Sequence, residues 1–341
     1  MGVRFPTDLD EWRRWQARRS PLRTLKHRVR PAPPARYKVG VRGDARVLVA
    51  FESSSTSTML ALGTPLRHLT TDLAVLAPDG FDETLLTDDL VWRPAEPTLT
   101  ELLPRGGVVL STGHYLPLGN ALYRQSRVLP VTFATVQHGL MTPIAPPVAP
   151  DATLLSWSDA DAAFWSDGQR GVEAVIVGSQ LLWQAQPAQP SPTATPIDDP
   201  PVFLGQLHGA ELPRADLTRT SFGFCRATGA TYRPHPAERD KASRLTHAAW
   251  KRLGIDIDTR PTPIRDLGRP VVSIFSTGVL EAAAAGLPAF VHHPNPPAWL
   301  REFWARYGMH RWGDTPTPRP SRPDDEPARV IARWADERAS R

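Results

Sequence analysis

A single cysteine, Cys225, stands among 341 residues, so no internal disulfide can form and no cysteine-rich metal site can be built. That scarcity suits a reducing compartment. No apolar run approaches the roughly 20 residues of a membrane-spanning helix, and the first residues lack the apolar stretch of a signal peptide. The expected location is therefore cytoplasmic. The chain also has neither a Walker A loop nor a Gly-x-Gly-x-x-Gly fingerprint, which argues against an ATPase or an ordinary dehydrogenase. Asp256-Ile257-Asp258 has a metal-like spacing, but it alternates inside a strand pattern with no third ligand near it. No metal site is expected there.

Positive charge is confined to one end. The net charge is +5, yet residues 1–46 hold 13 Lys/Arg against 4 Asp/Glu, so the remainder of the chain is net acidic. Thr7-Asp8-Leu9-Asp10 has the spacing of a capping box, and Trp12 and Trp15 fall on one face of the helix it would start. Ser20-Pro21 marks a second helix start, with Leu22, Leu25 and Val29 on its apolar side and arginines and a lysine on the rest. A basic segment with aromatic anchors can lie on an anionic membrane, each Lys/Arg contributing about 1 kcal/mol. The alternative is a solvated helix packed on the protein by its tryptophans.

What is abundant is proline, 37 residues of it, and it punctuates the chain. Pro31, Pro33 and Pro34 close a basic helical segment, residues 1–45. Strand-like runs then recur from Val47–Phe51 through Asp72–Leu76, Gly107–Leu110, Val131–Val136, Ala152–Trp157 and Ala174–Val177, with helical stretches between several of them. This alternation predicts a doubly wound α/β domain over 46–183. Residues 184–201, rich in proline and poor in large apolar side chains, read as a linker. A second α/β domain over 202–312 follows, and 313–341 is a proline-rich stretch with a final helix over Glu326–Ala339. Two domains also match the length.

Three short motifs sit where strands end, the edge at which open α/β sheets bind ligands. They are Gln137-His138-Gly139, Arg233-Pro234-His235-Pro236, and Ser276-Thr277-Gly278 running through Glu281-Ala282 to Gly286-Leu287-Pro288. Ser276, Thr277 and Gly278 lie between a strand and a helix, so hydroxyls and backbone N–H groups converge on a helix N-terminus, which is an anion site or simply a capped helix. Pro234 and Pro236 restrict the backbone around His235 and aim the imidazole out of a strand end. Arg233 either clamps the same anion or pairs with Glu238. His138, with an ordinary pKa near 6.5, suits removal of a hydroxyl proton, and Gly139 frees the backbone to turn beside it. A buried turn histidine is the plain alternative. Weaker candidates are the Ser53–Thr58 run, His114, and Gln206 with His208.

Taken together the three motifs resemble those of bacterial cell-surface polymer transferases of the GT-B type: teichoic acid glycerophosphotransferases, sialyl- and polysialyltransferases, and capsule Kdo transferases. The resemblance spans roughly residues 45–312. It implies two Rossmann-like domains facing a central cleft, with a terminal helix able to cross back onto the first. It implies a CMP- or CDP-linked donor and no further cofactor. His235 and Arg233 would contact the donor phosphate with Ser276, Thr277 and Gly278. Glu281 would grip the ribose, and His138 would be the base on a polymer or lipid-linked acceptor. Leu140-Met141-Thr142-Pro143 departs from the pattern by lacking the lysine often found there. A nucleotide-sugar epimerase of the same fold also keeps a Glu-Ala segment before Gly-x-Pro. The rival from another class is a nucleic-acid-binding protein using the basic arm, although no aromatic-basic interleaving occurs elsewhere and no nucleic acid is expected as partner.

Overall fold

The computed structural model describes residues 8–19, 35–187 and 199–340; the Ser20-Pro21 helix start and most of the 184–201 linker lie outside the described residues. The chain forms two compact units, Arg4–Leu181 with Pro323–Arg341, and Leu182–Arg322.

In the first unit α1 (Leu9–Arg19) precedes β1 (Tyr37–Arg42), β2 (Val47–Ala50), β3 (Leu73–Pro78), β4 (Val91–Ala95), β5 (Gly107–Ser111), α2 (Pro117–Ser126), β6 (Val131–Val136), β7 (Thr153–Ser156), α3 (Asp159–Ser166) and β8 (Glu173–Ile176). The strands form one sheet in the order β4-β1-β3-β2-β5-β6-β7-β8. From β3 to β8 every pairing is parallel, while β1 runs antiparallel to both β3 and β4. The Val-Leu-Val-Ala of β2 is buried at every position because both faces of a parallel sheet are covered. Leu99, Leu102, Leu118 and Leu122 cover one face.

The division between units falls inside the short helix α4 (Gln180–Ala185). The second unit then follows as β9 (Val202–Leu204), α5 (Arg214–Thr228), β10 (Thr231–Arg233), α6 (Lys241–Arg252), β11 (Val271–Ser273), α7 (Thr277–Ala285), β12 (Ala289–Val291) and α8 (Ala298–Arg306). Its strands are all parallel in the order β10-β9-β11-β12. Single bridges extend both edges, Tyr232 to Ile257 and Val291 to Arg311. With these included the spatial order becomes 3-2-1-4-5-6, the Rossmann arrangement. Trp299, Leu300, Phe303 and Trp304 of α8 and the buried alanines of α7 pack this core, and Trp304 Nε1 donates to the Ile274 carbonyl at 2.8 Å.

The last helix, α9 (Pro327–Ala339), belongs to the first unit. Its Ile331, Ala332, Trp334, Ala335 and Ala339 join Val47, Val49, Leu62 and Leu73 in one cluster and cover the other face of that sheet. Asp336 accepts from the backbone N–H groups of Thr70 and Thr71, each at 3.0 Å, which fixes the helix end on.

The expected boundaries need correction at both ends. Residues 1–45 are not a separate helical segment, since β1 enters the sheet ahead of Val47. The signal was weakened by Gly40, where a Cβ would come within 2.6 Å of the Trp92 ring. Strand β4 escaped notice because it contains Pro94, tolerated on a sheet edge. Nor is 313–341 one region: residues to Arg322 stay with the second unit and the rest return to the first. Residues Thr56–Arg67 are continuously helical, an α turn over Thr56–Thr58 passing into a wide π-helical stretch Met59–Gly63 and a tight 3₁₀ stretch Thr64–Arg67 that holds Pro65, which has no N–H to donate.

Candidate functional site

In the second unit the topological switch lies between β9 and β11, and three loops leave the carboxyl edge there. The β9 loop, Gly205-Gln206-Leu207-His208-Gly209, is tied to its neighbours by two buried side chains. Gln206 Oε1 accepts from Phe275 N–H at 2.9 Å and Ser273 Oγ at 3.1 Å, binding the loop to the end of β11. Glu238 Oε1 accepts from Leu207 N–H at 3.0 Å and His235 N–H at 3.2 Å, binding it to the β10 loop. Gln206 Oε1 thus acts as a brace between the β9 loop and the end of β11.

What these braces leave at the surface is a pair of imidazoles. His208 and His235 are both exposed, and their rings stack at 3.9 Å with 21° between planes. Ala237 N–H donates to His235 Nδ1 at 3.1 Å, which makes Nδ1 the acceptor and leaves Nε2 to carry the proton of the neutral ring. Burial of ring atoms lowers the pKa of both; for His208, burial and the adjacent His235 bring it to about 4. An Nε2–H donor is what an anionic oxygen requires, and bound phosphate would favour the charged rings.

Arg233 does not pair with Glu238. One of its guanidinium nitrogens donates to the Thr262 carbonyl, while Nη1 is buried without a hydrogen-bond partner. Its charge acts on Glu281, where burial raises the carboxyl pKa and Arg233 and then Arg265 oppose the rise. Glu281 lies half-buried on the first turns of α7. At the start of that helix Ser276 Oγ accepts from Gly278 N–H at 3.1 Å, so this pair caps the helix. Gly278 packs closely: a Cβ there would lie 2.5 Å from Leu204 Cδ1 and 2.9 Å from Ile264 Cδ1, so those side-chain ends would have to shift. Thr277 is half-buried beside them. The second unit therefore brings together Arg233, His235, Ser276, Thr277, Gly278 and Glu281 on one edge, with Ser276 and Gly278 already engaged with each other.

The first unit switches between β2 and β5. His138 follows β6, one strand further along, and is half-buried with Nδ1 enclosed and unpartnered; burial lowers its pKa. Gln137 before it is a buried junction. Its side chain donates to Asp161 Oδ2 at 2.9 Å and accepts from Ser156 Oγ at 3.0 Å and Trp157 N–H at 2.8 Å. Gly139 does not have a positive φ and a Cβ there would meet nothing within 4 Å, so the freedom expected of it is unused. Where the lysine of the resembling families is missing, Met141 packs inward against Val148, Leu154 and Trp165.

At the switch itself stands a residue that sequence reading missed. Glu52, two positions past β2, accepts from Gly119 N–H in the first turn of α2 at 2.6 Å. Burial outweighs that hydrogen bond and raises its pKa to about 7. The one available signal was a carboxylate placed directly after an all-apolar strand. His114, after β5, is buried against Tyr123 with Nδ1 unpartnered, and burial brings its pKa to about 4. The Ser53–Thr58 hydroxyls cap a single turn, Ser55 Oγ accepting from Thr58 N–H at 3.3 Å.

Helix α1 lies on the loops of this same edge. Asp8 Oδ1 caps it by accepting from Asp10 and Glu11 N–H at 2.7 and 2.8 Å. Trp12 is buried, donates Nε1–H to the Ile144 carbonyl at 2.9 Å and meets Tyr115 edge-on at 5.7 Å. Trp12 is therefore part of the fold and not an outward anchor for a membrane, as one reading of the sequence had it. Among the described residues no helix is long and apolar enough to cross a membrane, and no three His, Cys, Asp or Glu side chains gather as a metal site. Asp258 is paired with Arg260 at 2.8 Å, and Asp256 accepts from Thr231.

No protein-family model matches the chain, and no curated protein matches it. Among solved structures it is similar to a chain in the crystal structure of the GtfA/B complex, at a TM-score of 0.37 and 13% identity, over 75% of this chain. The match spans 57% of that chain's own length. The architecture seen here is that of an α/β protein with two units, one built on a mostly parallel sheet and the other on a fully parallel one.

Proposed function

We propose that the chain is a GT-B type transferase that moves a glycosyl or glycerol-phosphate unit from a CMP- or CDP-linked donor to a cell-surface polysaccharide or teichoic-acid-like acceptor. The observation that carries this reading is the braced carboxyl edge of the second unit, where an Nε2–H donor, a guanidinium nitrogen without a hydrogen-bond partner and a carboxylate under that guanidinium's charge occupy one side of a Rossmann sheet. On this reading His235 and His208 hold the donor phosphate with the N-terminus of α7 and Arg233, and Glu281 takes the ribose hydroxyls. Charge developing on the leaving phosphate is met by fixed donors, so the chemistry does not require a metal. His138 of the first unit removes the proton from the attacking hydroxyl of a polymer or lipid-linked acceptor.

A calorimetric and thermal-shift screen of CMP, CDP, UMP, UDP and GDP tests the donor half. A nucleotide at one hundred times its Kd stabilises its target by about 2.7 kcal/mol, which is readily seen as a rise in melting temperature. Cytidine nucleotides are expected to give the largest rise. Failure of all five to bind would overturn the reading, and conversion of a nucleotide sugar without any acceptor would replace it with an epimerase. Salt-dependent RNA or DNA binding that survives loss of the histidines would replace it with the nucleic-acid-binding alternative.

A further inference from the structure

We propose that Glu238 is the positioning residue of the second unit's anion site, and that through it two imidazoles, His208 and His235, contact the donor phosphate as one preset pair. The proposal rests on the donor-site reading above for the identity of the anion, and on geometry alone for the bracing.

Glu238 has no solvent-exposed side-chain surface. A carboxylate in that setting is stable only if its lone pairs are taken by donors. Here they are: Leu207 N–H, His235 N–H and the Tyr232 hydroxyl reach Oε1, while Tyr232 again at 3.0 Å and His247 Nε2 at 2.9 Å reach Oε2. The two backbone donors come from different loops. Leu207 is the residue before His208, and His235 is itself the other half of the stack. Holding both N–H groups on one oxygen therefore fixes the backbones that carry both rings.

A second observation is independent of these hydrogen bonds. Gly205 sits at the start of the β9 loop, and a Cβ on it would fall 2.3 Å from the Tyr232 hydroxyl and 2.7 Å from Glu238 Oε1. Its φ is not in the positive range that favours glycine. The residue is small because the carboxylate and the hydroxyl occupy the space beside it. The two rings stack at 3.9 Å, so their nitrogens are held side by side before the anion arrives.

The test uses the full-length protein, calorimetry with CMP and with inorganic phosphate, and proton NMR of the histidine rings without ligand. Glu238→Gln keeps an oxygen for both backbone N–H groups and is expected to retain the His208–His235 ring contact and CMP affinity within about threefold. Glu238→Asp and Glu238→Ala cannot span both loops. They are expected to lose the ring contact and at least tenfold in affinity per folded molecule, measured well below their melting temperatures. Gly205→Ala, with Glu238 intact, is expected to do the same and serves if the Glu238 variants fail to fold. A purely structural glutamate would lower the melting temperature while leaving the ring contact and the affinity unchanged, and that result overturns the proposal. If the rings part as expected in the variants but wild-type protein binds neither CMP nor phosphate, the bracing stands and the donor-site reading falls.

Discussion

At the carboxyl edge of the second unit the buried polar groups are braces, Gln206 and Glu238, and the titratable rings of His208 and His235 remain outside. At the equivalent edge of the first unit the arrangement is reversed. There His114 is fully enclosed, Glu52 and His138 are half-buried, and α1 lies over the loops through Trp12. An edge whose donors are fixed by backbone hydrogen bonds is suited to holding a charge. An edge whose carboxyl is pushed up to about 7 by burial is suited to moving a proton near neutrality. The division of labour proposed above, donor on the second unit and proton transfer on the first, follows from that contrast more than from any single motif.

The contrast breaks most visibly at His138. Replacing it with alanine should reduce turnover about 10²- to 10⁴-fold while leaving the nucleotide Kd near wild type. Steady-state kinetics with calorimetry on the same preparation decide this, and wild-type turnover would remove His138 as base. Trp12→Ala probes the cover on the same edge. It removes a buried ring together with its bond to Ile144 and its edge contact with Tyr115, an expected loss of about 3 kcal/mol in denaturant unfolding. A loss under about 0.5 kcal/mol would mean that α1 is not docked on these loops in solution.

The second unit's edge responds through affinity. His235→Ala deletes a charge-assisted donor and should weaken CMP binding by about 1.5–3 kcal/mol with the fold intact. Unchanged affinity by calorimetry would take His235 out of the site and leave the two edges without the functional difference argued here.

How much of this was legible in the sequence depends on whether the signal was local. The parallel strands were, because their buried runs such as Val47–Ala50 and Val131–Val136 are near-continuous and β-branched. The motif positions were legible for the same reason, as each follows such a run. Strands β1 and β4 were not, since their pairing is antiparallel and non-local and one contains Pro94. Nor was the role of Glu238: its five hydrogen bonds come from residues 207, 232, 235 and 247, and nothing in Glu238-Arg239 distinguishes it from a surface pair. Arg233 could be paired with Glu238 on paper for that reason. Only the fold shows that the carboxylate is already occupied.

The smallest effect, and the one that isolates the first unit's edge, is the pH response of Glu52. Its folded pKa of about 7 lies above its ordinary value of 4.5, so between those limits the folded state holds more protons than the unfolded one. Stability from this group is therefore fully present below about pH 4.5 and is lost as pH rises through 7. With partial solvent contact allowed for, the loss between pH 5 and 8 should be on the order of 1–2 kcal/mol. His114, with its pKa lowered to about 4, acts in the other direction, destabilising the fold as pH falls below 6.5. The wild-type profile is thus a sum of opposing slopes. Glu52→Gln can still accept from Gly119 N–H, so it removes the first slope and keeps the cap on α2. Chemical denaturation from pH 5 to 8 should show the variant gaining on wild type as pH rises. A constant difference across that range would mean that Glu52 titrates normally, and the first unit's edge would lose its group poised near neutrality.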